Sequence, residues 1–125
     1  MSIKQLVVAG LFYFFIFLFG YWVSHSGKPY SVILLTIHKL ISVAVVVYLV
    51  MAILQRNKVT ALNTIELSVL VVTGLFFLCA VITGGLLSTD KSMPVAVQRL
   101  HQIIPYLTVL STAVSLYLLL NHNNN

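Results

Sequence analysis

Four apolar runs, at 6–23, 31–54, 65–87 and 95–120, fill most of this 125-residue chain, with only short polar joints between them. At about 1.5 Å of rise per helical residue, each run can cross the roughly 30 Å of hydrocarbon in a bilayer. Backbone in lipid has no water to bond and must satisfy its own donors and acceptors. A closed barrel would need strictly alternating strands, which the runs lack, so helices remain. The joints at 24–29, 55–58 and 88–94 are short enough to make neighbouring helices antiparallel. The expected fold is an all-α membrane protein, an antiparallel up-down four-helix transmembrane bundle spanning 1–125 as a single domain. Composition supports this: 60% of the residues are hydrophobic and only 7% charged, too few to cover a water-facing surface. The formal charge of +5 is scattered between the apolar runs. Without a basic stripe, nucleic acid is not an expected partner, and lipid headgroups are.

The first run reads as a mature helix rather than a cleaved signal peptide. It is longer than the usual signal core, rich in Phe and Tyr, and followed by no small-residue cleavage site before Gly27. Tyr21, Trp22 and Tyr30 bracket the first joint as an interfacial aromatic belt would. Lys4, Arg56 and Lys58 on one side nearly balance Lys28, Lys91 and Arg99 on the other; the reading adopted puts the N-terminus in the cytoplasm. Cys79 is the only cysteine, so no internal disulfide exists, and it reads as a small buried apolar residue. The tail 121–125 reads as polar and frayed.

Ionisable groups inside hydrocarbon are costly and point to function. His38 and His101 are the two such histidines, lying seven residues after Ser31 and Pro94 respectively. Both helices enter from the same side, so each imidazole is expected about 10 Å below one membrane face. Helices two and four are diagonal partners in an up-down bundle, so the two rings should look at each other across the core. Two imidazoles so arranged can supply the trans axial nitrogens of one six-coordinate haem b. Ile37-His38-Lys39-Leu40-Ile41 and Leu100-His101-Gln102-Ile103-Ile104 share one pattern, a short internal repeat in which each hairpin gives one ligand. Parallel repeats of this kind build central sites in other membrane proteins.

Gly20 and Gly84-Gly85 lie towards the histidine-bearing face, where small residues either make room for a macrocycle or let helices pack closely. Thr108, Thr112 and Ser115 follow His101 along its helix and read as packing and interhelical hydrogen bonds, and Pro105 as a kink. Haem propionates need cations near the surface; Lys39 and Arg99 rank first, with Lys28 and Lys91 read as headgroup anchors. His25 sits in a joint and His122 in the tail, so the opposite leaflet offers no ligands for a second haem. Glu66, at the start of helix three, complements the helix dipole, and Asp90 reads as a solvated joint residue. No zinc ligand set, catalytic triad or phosphate loop is evident.

At the two histidine segments the chain resembles four-helix membrane cytochromes b, the group of cytochrome b561-like proteins and haem-bearing anchor subunits of membrane oxidoreductases. The resemblance covers the four-span layout with His38 and His101 as ligands, and implies electron exchange with quinone or with a partner redox subunit. Many members hold two haems, whereas this chain has ligands for one. It implies an electron-transfer protein or subunit more than an autonomous enzyme. Two rivals stay open. In a structural or assembly subunit of a larger membrane complex, the histidines would only hydrogen-bond between helices. A small exporter would rely on an intramembrane carboxylate, and the first helix has none.

Overall fold

The computed structural model describes residues 3–27, 29–89 and 92–124, with side chains as far as residue 121. Lys28, Asp90, Lys91 and the side chain of His122 lie outside the described residues. Four helices follow one another: α1 (Ile3–Ser26), α2 (Val32–Val59), α3 (Thr64–Leu87) and α4 (Val95–Asn124), with no strand among the described residues. All four are long and apolar enough to cross a membrane. The chain is thus an all-α, multi-pass membrane protein.

All four helices outrun the apolar stretches at one end or both, α3 by a single residue, because hydropathy marks the hydrocarbon zone and not the helix. Polar residues such as Gln55, Arg56 and Lys58 are good helix formers and carry α2 past the apolar run. Likewise α4 continues through Asn121 to Asn124 where a frayed tail was expected, and it continues through Pro105.

The helix ends are satisfied locally. α1 stops at Gly27, whose φ of 73° is the left-handed conformation in which a Cβ would be strained. The N-cap of α2 is Ser31, whose side chain accepts from the Leu34 N–H. At its other end Arg56 Nη1 donates to the Thr60 carbonyl at 2.6 Å, closing the last turn. α3 opens with a capping box: Asn63 Oδ1 accepts from Glu66 N at 2.8 Å, and Glu66 Oε2 accepts from Asn63 N at 3.1 Å. Glu66 thus does more than complement the dipole, and it is buried.

The molecule divides into two compact units, 1–61 and 62–125. Each is one antiparallel helical hairpin, α1 with α2 and α3 with α4. In the first, the Phe12 and Tyr48 rings meet at 5.7 Å, and buried side chains include Ala9, Tyr13, Val45, Leu49 and Ala52. In the second, Thr73, Thr83, Ile104, Thr108, Thr112, Ser115, Leu116 and Leu119 are buried. Large apolar side chains such as Phe14, Trp22, Ile82 and Leu110 are exposed, as lipid-facing helices require. Cys79 is also exposed, which corrects the expectation of burial: the acyl chains themselves supply apolar surroundings to an outward-facing residue.

The hairpins repeat one another more fully than the short histidine pattern implied. The buried α2 positions Val45, Leu49, Ala52 and Arg56 answer to buried Thr108, Thr112, Ser115 and Leu119, each 63 positions on, the offset from His38 to His101. On the leading helices, Ala9 and Gly20 answer to Thr73 and Gly84, each 64 positions on. One architecture occurs twice.

Candidate functional site

The four candidate residues fall as two pairs, His38 with Lys39 on α2 and Arg99 with His101 on α4. Each histidine is the seventh residue of its helix, counted from Val32 and from Val95, so both rings sit about 9 Å along their helices. Both rings are half-buried, whereas Lys39 and Arg99 are exposed. Arg99 joins Val95, Gln98, Gln102 and Ile103 around a shallow hollow on the surface of α4.

His38 packs against α1. Its Nδ1 is 3.1 Å from the Ile16 carbonyl oxygen, and since a carbonyl only accepts, Nδ1–H is the donor. In the neutral ring the lone pair then belongs to Nε2. The ring rests on Gly20: a Cβ there would stand 3.0 Å from His38 Cε1, tighter than most side chains tolerate.

His101 packs against α3 in the same manner. A Cβ on Gly84 would come within 2.8 Å of its Cε1, too close without a shift. Its Nδ1 lies 3.0 Å from Thr83 Oγ1, which is also 2.8 Å from the Cys79 carbonyl and 3.2 Å from the Ala80 carbonyl. Ala80 is the counterpart of Ile16, 64 positions on, so the Thr83 hydroxyl stands where the first hairpin has a direct bond to carbonyl.

Gly20 and Gly84 therefore make room for the imidazoles themselves, a third outcome beside the macrocycle and general packing. Gly85 meets nothing within 4 Å. The histidine carbonyls differ, and at counterpart positions, since Ser42 and Pro105 are 63 apart. Ser42 Oγ donates to the His38 carbonyl at 2.8 Å, and Pro105 deprives the His101 carbonyl of its usual intrahelical donor.

Further along the second hairpin, Thr73 Oγ1 bonds Ser111 Oγ and lies 3.3 Å from Ser115 Oγ, so α3 and α4 are tied by hydroxyls. Thr108 and Thr112 instead donate to their own helix, at the Ile104 and Thr108 carbonyls. Near the first turn, Tyr21 stacks on His25 at 5.3 Å and Phe19 on Trp22 at 6.1 Å. His25 belongs to the last turn of α1, where a basic group suits the dipole.

Sequence reasoning missed Thr83 and the carbonyl of Ile16. Pairing residues about the centre of each turn would have found the first, because Thr83 and Thr73 share one register with His101 and Ser111. Backbone acceptors leave no such trace. Among the described residues, no three of His, Cys, Asp and Glu gather as a protein-only metal site would need. A haem asks less of the chain, since the porphyrin supplies four nitrogens and the protein two. An imidazole anchored through Nδ1 with its lone pair on Nε2 is the state an axial ligand requires; the Ile16 carbonyl holds His38 in that state, and Thr83 can hold His101 in it by accepting from Nδ1–H. Compared with family models, with curated proteins and with solved structures, the chain finds no match in any of the three, so its function is read from its own residues and their geometry.

Proposed function

We propose that this chain is a membrane b-type cytochrome in which His38 and His101 supply the two axial nitrogens of one haem b. The observation that carries the reading is the repeated anchoring. In each hairpin a glycine admits the imidazole, and a group on the neighbouring helix engages Nδ1. Such partners fix ring orientation and raise the basicity of the coordinating nitrogen. When bound, the haem supplies one-electron chemistry, with quinone or a partner redox subunit as the other party. Lys39 and Arg99, each within two residues of a histidine and exposed, are the propionate partners in this reading. With the N-terminus cytoplasmic, the histidine-bearing ends lie towards the opposite face.

A second reading is favoured by the same bonds. Imidazoles that tie α1 to α2 and α3 to α4 would suit a subunit whose role is structural. Purified protein expressed with ample haem separates the two. A Soret band with a sharp reduced α-band is expected for the cytochrome, with both bands lost in His38→Ala and the sharp α-band lost in His101→Ala. Colourless protein overturns it and leaves the structural role.

A further inference from the structure

We propose that Thr83 is a positioning residue that selects which nitrogen of His101 carries the proton, making His101 the exchangeable member of a pair in which His38 is fixed. The selection of the proton stands on the second hairpin alone; the exchange of His101 rests on the haem reading above.

The argument turns on the difference between a carbonyl and a hydroxyl. The Ile16 oxygen accepts only, so at 3.1 Å it holds His38 in the Nδ1–H form. Thr83 Oγ1 both donates and accepts. With its hydrogen on the Cys79 carbonyl, 2.8 Å away, Oγ1 accepts from His101 Nδ1–H and the ring lone pair is on Nε2. With its hydrogen turned to Nδ1, the same heavy atoms hold the Nε2–H form, which has no lone pair left on Nε2 to give to a metal. Turning the hydroxyl changes which tautomer is held; the ring itself changes when Nδ1 releases its proton to water and Nε2 takes one up, and the two events together interconvert a coordinating and a non-coordinating His101. The first hairpin has Phe19 at the position that answers to Thr83, so no hydroxyl stands there to turn. Toward a bound haem, His38 would be the constant ligand and His101 the exchangeable one. A small neutral ligand for ferrous iron, such as carbon monoxide, would compete on the His101 side.

Nitrogen-15 NMR of histidine-labelled, haem-free protein in micelles reads the tautomers directly. We expect His38 wholly as Nδ1–H and His101 as a mixture. Thr83→Val keeps the shape and removes both roles of the hydroxyl; because the Cys79 and Ala80 carbonyls compete for its hydrogen, the role chiefly lost is acceptor, so His101 should shift towards Nε2–H, while Thr83→Ser should restore the wild-type ratio. An unchanged His101 signal in Thr83→Val, or a mixture at His38, overturns the proposal. In reduced, haem-loaded protein, carbon monoxide should bind on the order of tenfold more tightly to Thr83→Val, the weight of about one hydrogen bond. It should bind Thr83→Ser as it binds wild type. Equal affinity in all three forms would refute the exchange. Failure to load haem at all would instead refute the cytochrome reading and leave the tautomer result to be judged by itself.

Discussion

The two hairpins share one plan and fill it with different chemistry. Where α2 buries Val45, Leu49 and Ala52, α4 buries Thr108, Thr112 and Ser115 in the same slots; where α1 buries Ala9, α3 buries Thr73. The first hairpin demonstrates that hydrocarbon side chains of this size are sufficient to pack the plan. Hydroxyls in the second are therefore an addition, bringing directional bonds where close packing alone would serve. In lipid the gain from each is small, because the competing state also finds partners. The contrast is sharpest at the histidines, where one ring is held by a backbone oxygen and the other by a rotatable side chain.

Removing the rings themselves gives the largest expected effect on this comparison. His38→Ala should empty the protein of haem, whereas His101→Ala should keep a more weakly held haem with a high-spin spectrum; identical losses in both would make the hairpins equivalent. Next come the glycines. Gly84→Ala should destabilise by about 1–3 kcal/mol in detergent unfolding, as overpacked cores do. Gly20→Ala should cost less, because its Cβ would meet His38 at 3.0 Å and not at 2.8 Å. A reversed order would mean the two rings are not seated as described. Thr73→Val, which breaks the ties to Ser111 and Ser115, should cost about 0.6–1.7 kcal/mol by the same assay. The smallest effect is expected for Thr108→Val, which installs the counterpart residue Val45 and should stay within about 0.5 kcal/mol. The Thr108 hydroxyl bonds only the Ile104 carbonyl of its own helix among the bonds described, so a larger cost would show that its burial matters for more than shape.

Much of this was legible beforehand, for definite reasons. The four spans could be read because hydrocarbon tolerates little but self-bonded helix, and His38 and His101 because an ionisable ring in an apolar run is conspicuous. The repeat was visible over five residues, yet its extent was hidden by chemistry: Val45 and Thr108 look unlike in sequence and alike only in burial. Helix ends were misjudged where Gln55 to Lys58 continue a helix beyond the hydrocarbon. Glu66 was recognised for its charge, while its exchange of bonds with Asn63 required seeing the turn. The seats of the rings on Gly20 and Gly84 depend on interhelical register, which no single segment encodes.

A two-helix unit crosses the bilayer twice and hands the chain back to the side it came from. Copied once and joined head to tail, such a unit is inserted in the same sense both times, with no new topology signal to evolve. An odd number of helices would have been turned upside down by the same event. The recurring slots of this chain have that form, one two-helix plan used twice, with alcohols in most of the slots of one copy and hydrocarbon in most of those of the other.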